Sequence, residues 1–183
     1  MLLKTLLLII NQAINSFVIV PKCFNLAKNH SMALVDISLE SILPFLEKLD
    51  AQQVPQWGSM SAQRMVEHLT DTLWIACGQN PQALLVPEEK LPAMLAFLDS
   101  EKPMAKNIQV PFALAETSLR NQELELAIDE YVDAWLAFEE CYESTPGLTN
   151  VHAYYGPLNE EGWRKLHAKH LTHHFKQFGL IVE

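Results

Sequence analysis

The side chains best suited to chemistry lie near the C-terminus, where His167, His170, His173 and His174 account for four of the seven histidines of the chain. In a helix, His170 and His174 project from one face about a turn apart. Two neutral imidazoles so placed can share one transition-metal ion. A third ligand must then come from another element, and His68 is the candidate. Three histidines hold a divalent metal while leaving a position open for water or substrate. Water bound there becomes acidic enough to act as hydroxide near neutral pH, and a thiol bound there is activated as thiolate. His167 and His173 compete for the same role, because i,i+3 spacing also brings side chains together. The plainer alternative is a His-rich helix face that is only solvated or half-buried.

Helices must position these residues. Residues 61–78 have helical periodicity, with Ser61 as N-cap and Gly78 as stop. Met65, Leu69, Thr72, Leu73 and Ala76 make the inward stripe, and His68 falls on it. Asn159 caps a last helix with Glu160 and Glu161 at its positive end. Trp163, Leu166, His170, His174 and Phe178 form one stripe of that helix, and Gly179 ends it. A long helix over 118–143 carries Leu124, Ile128, Tyr131, Trp135, Phe138 and Tyr142 in alternating steps of four and three, the seam of a bundle. Its acidic residues Glu125, Asp129, Asp133 and Glu140 lie mostly off the seam and read as a solvated face. A first helix is expected over 38–51, with Pro44 tolerated if the helix starts near Ser41.

Residues 79–115 hold five prolines and read as loop with one short helix over 88–99, while 145–158 reads as loop. No strand pattern of weight and no internal repeat is present. The expected fold is all-α, a bundle of about four long helices.

The chain has 183 residues, of which 49% are hydrophobic and 19% charged, the composition of one ordinary globular domain. A net charge of −9 argues against nucleic acid as the partner. Arg164, Lys165, Lys169 and Lys176 form only a local basic patch and read as the solvated side of the last helix. Cys23, Cys77 and Cys141 are odd in number and widely spaced, which argues against a disulfide framework and suits a reducing cytoplasm. Each reads as a small core residue, with a role for Cys77 near His68 as a lesser alternative. Residues 1–31 read as an extension outside the fold, with Met32 a candidate working initiator. An export signal or membrane anchor is the alternative, although polar residues interrupt the apolar run before it could span a bilayer. Residues 32–183 make the single domain. No nucleotide-binding glycine motif and no serine nucleophile elbow occurs, so no organic cofactor is expected.

Several motifs resemble a known family. The run from Trp57-Gly58 through Arg64-Met65-Val66-Glu67-His68-Leu69 resembles the second-helix motif of the DinB/YfiT-like superfamily, and more closely an uncharacterised domain-of-unknown-function branch of it. Lys106-Asn107-Ile108-Gln109-Val110-Pro111 is similar to the middle segment of that branch. Gly156-Pro157-Leu158, Trp163 and the run His170-Leu-Thr-His173-His174-Phe-Lys-Gln177-Phe178-Gly179 resemble its C-terminal signature. The resemblance covers about residues 40–180. It implies an up-down-down-up four-helix bundle, often dimeric. It also implies a divalent metal (Zn, Ni or Fe) on His68, His170 and His174, with Gln177 supporting the site. The activities it implies are a metal-dependent transferase, thiol-using in some relatives, or a hydrolase acting on a small molecule. A non-catalytic metal- or ligand-binding bundle is the alternative. One departure is His152-Ala153 where the branch usually has His-Pro, which leaves the shape of that loop open.

Overall fold

The computed structural model describes residues 34–108, 110 and 117–182. The fold is mostly helical. Helix α1 spans Leu39–Leu46, α2 Ala62–Ala76, α3 Leu91–Leu98 (preceded by a single 3-10 turn, Glu88–Lys90), α4 Leu124–Ser144 and α5 Glu160–Gln177. A two-stranded antiparallel hairpin, β1 Asn150–His152 and β2 Gly156–Leu158, joins α4 to α5. Among the described residues, no helix is long and apolar enough to cross a membrane. The expected extension over 1–31 lies outside the described residues.

Caps set the helix boundaries where the sequence places them. Ser61 accepts from the Arg64 amide to start α2, and Asn159 accepts from the Gly162 amide to start α5. Gly78 and Gly179 follow their helices with φ +76° and +66°, a left-handed geometry that stops a helix at little cost in glycine.

Three boundaries differ from the sequence reading. Helix α1 starts earlier and ends sooner: Ser38 caps it and the last helical residue is Leu46, with Pro44 inside rather than in the first turn. Helix α4 begins at Leu124 and not at 118. The cause is Glu67, whose carboxylate accepts from the backbone amides of Arg120 and Asn121 at 3.0–3.3 Å. Those amides are held by a side chain from α2 and do not join a helix. The loop expected over 145–158 contains the hairpin, whose three-residue strands are too short to show alternation in the sequence.

Helices α2 and α4 pack along their length, and α5 lies against α2 and α3. The α4 seam is buried as expected at Leu124, Tyr131, Trp135, Phe138 and Tyr142, joined by Ala127 and Ala134, whereas Ile128 is half-buried. Glu125, Asp129, Asp133 and Glu140 are exposed. Trp135 and Trp163 are both fully buried, which puts aromatic bulk between α4 and α5. The basic patch is corrected at one position. Lys169 is buried, because its ammonium donates to the Ser100 and Lys102 carbonyls and lies 4.6 Å from the Phe97 ring centre. It ties the segment after α3 to α5.

Candidate metal centre

His68 reaches the site from α2, and His170 and His174 from adjacent turns of α5. The Nε2 atoms of His68 and His170 lie 2.8 Å apart, and those of His170 and His174 lie 2.9 Å apart. His68 and His174 are buried and His170 is half-buried. Burial is the main reason that all three pKa values fall below the ordinary imidazole value. His68 is pushed down to about 3, with further contributions from Arg64 and His173. His170 and His174 are also held well below it by burial and by neighbouring imidazoles. At neutral pH the cluster is therefore uncharged and rich in lone pairs.

A chain of hydrogen bonds sets the proton on His174. The Gln177 amide nitrogen donates to the Trp57 carbonyl at 2.9 Å, which turns its oxygen toward His174. That oxygen lies 2.7 Å from His174 Nδ1, so Nδ1 carries the proton and Nε2 presents a lone pair to the cluster. Gly58 makes this approach possible. Its φ is +78°, and a Cβ there would sit 3.0 Å from the Gln177 amide nitrogen.

With His174 Nε2 a bare acceptor, two-centre hydrogen bonds cannot satisfy both Nε2 contacts at once. A proton on His170 Nε2 serves His174 and leaves no lone pair for His68. Without that proton, two lone pairs face each other at 2.9 Å. A cation shared by three lone pairs removes the conflict, so this neutral imidazole set could hold a metal ion. The polarised Gln177–His174 pair is the kind of outer support that metal-binding histidines have. His68 Nδ1 is buried and has no hydrogen-bond partner among the described residues.

The other histidines separate clearly. His173, one position from His174, lies edge-on to Trp57 with ring centres 5.6 Å apart and lines the cavity beside the site without joining the cluster. His167 faces away into an aromatic box. Its ring centre is 5.1 Å from that of Phe138, 5.8 Å from Trp163 and 6.3 Å from Trp135. His152, on the hairpin, accepts from the Tyr154 amide through Nδ1 and lines the same cavity. Ala153, where the resembled branch has proline, is fully buried, and its carbonyl accepts from the Leu85 amide. His30 lies outside the described residues.

Cys77 meets Cys141 with sulfurs 3.2 Å apart, both as free thiols, and is not part of the cavity wall. Cys23 lies outside the described residues. Glu67, next in sequence to His68, is fully buried but takes its hydrogen bonds from Arg120, Asn121 and Gln63. Burial alone would raise its pKa, but these bonds outweigh that and lower it. Glu67 therefore anchors the approach to α4. The sequence reading missed this role, since a carboxylate beside a histidine has no signal for a backbone partner more than fifty residues away.

The three imidazoles open onto a cavity of about 890 Å³ lined by the loop before α2, α2, α3, the segment after it, the hairpin and α5. No family model, curated protein or solved structure matches this chain.

Proposed function

We propose that the protein is a metal-dependent bundle of the DinB/YfiT-like type, with one divalent ion held by His68, His170 and His174. The observation that carries this reading is the convergence of three Nε2 atoms within 4.8 Å of one another, one of them oriented by Gln177. A three-imidazole set leaves coordination positions open, and here they would face a ligand-sized cavity. A metal in such a site supplies Lewis acidity, polarising a substrate oxygen or making bound water or thiol nucleophilic at neutral pH. The chain's own part is to hold three neutral donors on two packed helices, fix the tautomer of His174 and set a largely apolar wall beside them. The reaction class that fits is a transferase or hydrolase working on a small molecule.

A purely binding role is the second reading. It draws on the absence of a carboxylate or ammonium among the described residues of the cavity wall, which leaves His152 and His173 as its other titratable groups apart from tyrosine. The reading extends to a cytoplasmic homodimer, supported by the resemblance and by cysteine usage rather than by contacts.

Metal content of untagged protein, measured by elemental analysis across single variants, tests the proposal. His68→Ala, His170→Ala and His174→Ala are each expected to lose most of the metal, and His173→Ala to keep it. Full occupancy in His170→Ala with loss in His173→Ala would move the site to the other helix register. Absence of metal from wild-type protein that has been supplied with it would remove the reading.

A further inference from the structure

The cavity beside the three histidines has a largely apolar wall. Its volume, about 890 Å³, is that of a pocket for a drug-sized molecule. Trp57, Met94, Phe97, Met104, Ile108 and Tyr155 supply much of the surface. Among the described residues that line it, none carries a carboxylate, a guanidinium or a primary ammonium. Several of its polar groups are already engaged. Gln177 is held between Trp57 and His174, and the Thr72 hydroxyl donates to the Leu69 carbonyl. The polar atoms that converge on one point are the imidazole nitrogens at the inner end.

A cationic ligand would lose its hydration here without gaining an opposite charge from these residues, and an anionic group would find one only in a metal held by the three histidines. The net charge of −9 further disfavours the approach of anions. Flat, apolar ligands are favoured instead. Trp57, Phe97 and Tyr155 offer ring faces and edges, and methionine thioethers adapt to aromatic shapes.

We infer that this cavity selects a largely apolar small molecule without a cationic group, aromatic in its body and carrying one oxygen or sulfur atom that points at the three histidines. The apolar body follows from the cavity wall alone. The orientation of the heteroatom rests on the metal-centre reading above. The inference also narrows the thiol-transfer possibility: a co-substrate bearing several carboxylates does not fit inside this wall and would have to stay at its mouth. The cation placed to serve such a molecule is Lys106, whose ammonium lies 4.0 Å from the Trp57 ring centre.

Calorimetric titration with three matched probes, naphthol, naphthoate and naphthylmethylammonium, tests this on the full chain as purified, with metal content measured on the same sample. Naphthol is expected to bind at least ~10-fold more tightly than naphthylmethylammonium, equivalent to about 1.4 kcal/mol. Met94→Lys places an ammonium in the wall at a half-buried position. That variant is expected to weaken naphthol and to strengthen naphthoate, with an unchanged circular dichroism spectrum confirming the fold. Lys106→Gln is expected to leave naphthol binding unchanged. Naphthoate binding as tightly as naphthol in the wild type, and losing that affinity in Lys106→Gln, would overturn the inference in favour of an anionic ligand held by Lys106. Failure of all three probes to bind would overturn it outright. Selective naphthol binding by protein that takes up no metal would sink the metal-centre reading and leave the neutral cavity standing. Metal-loaded protein that binds naphthylmethylammonium as tightly as naphthol would do the reverse.

Discussion

Two histidine sites lie on α5 only three residues apart, and they differ in almost every property that matters for chemistry. His170 meets His68 and His174 nitrogen to nitrogen, with the outer nitrogen of His174 held by Gln177. His167 meets rings only: Trp163 stacks on it, Phe138 stands edge-on, and its Nε2 is buried without a partner among the described residues. Burial pushes the pKa of both imidazoles down, that of His167 to about 3, with smaller contributions from His152 and Arg164. A depressed histidine pKa therefore does not mark the site. What separates the two is whether neighbouring side chains bring lone pairs or ring faces to the imidazole.

The largest expected effect lies on the aromatic side. Trp135, fully buried and 6.3 Å from His167 between ring centres, packs the space between α4 and α5. Trp135→Ala should cost roughly 3–5 kcal/mol of unfolding free energy, as other large aromatic truncations do. Urea denaturation checks it, and a loss under about 1 kcal/mol would mean that the seam is not the structural centre.

Next in size is Gln177→Leu. It removes the acceptor from His174 Nδ1 and the donor to the Trp57 carbonyl while keeping much of the volume. Loss of such support is expected to lower metal affinity about 10- to 100-fold. A chelator competition titration reads it. His167→Phe is expected to leave that affinity unchanged, since it exchanges one ring for another inside the box. A His167→Phe variant that loses metal would erase the distinction between the two sites.

The pH dependence sharpens the same contrast. His167 titrates near 6.5 when unfolded and near 3 when folded. Above the unfolded value both states are neutral and its contribution to stability is intact. As pH falls from about 6.5 toward 3, the unfolded chain binds the proton first and stability drops. His152 acts in the same direction, its folded value pushed down by burial to about 4. His167→Phe should therefore flatten the acid limb of stability against pH between about 6.5 and 3, measured by urea midpoints at stepped pH. An unchanged limb would mean that His167 is protonated in the folded state.

The smallest effect concerns the anchor on the far side of α2. Glu67→Gln keeps the shape but weakens a charged acceptor serving the Arg120 and Asn121 amides. A loss of about 0.5–1.5 kcal/mol is expected, because the amide oxygen of glutamine still accepts from both backbone amides, with metal content unaffected. Loss of metal in this variant would show that the position of His68 depends on this anchor.

These contrasts also explain what could be read in advance. Local rules set most of the elements: Ser61 and Asn159 as caps, Gly78 and Gly179 as stops, and the Leu124-to-Tyr142 seam all act within a turn or two of themselves. The three-histidine cluster was legible because His68 and the His170–His174 pair each fall on an inward stripe. The fate of His167 was not, since its spacing from His170 is equally helical and only Trp135, Phe138 and Trp163 decide what it meets. The start of α4 and the burial of Lys169 were hidden for a related reason. Glu67 and Lys169 each satisfy backbone groups more than fifty residues away, and such partners leave no periodic trace. The hairpin escaped because strands of three residues carry too little pattern.

The central claim, that one metal ion sits among His68, His170 and His174, is tested most directly by anomalous diffraction from crystals of metal-loaded protein. With zinc, a single anomalous peak is expected about 2.0–2.1 Å from the Nε2 atoms of all three residues. A peak beside His167 or His173, or none in crystals grown with excess zinc, would contradict it.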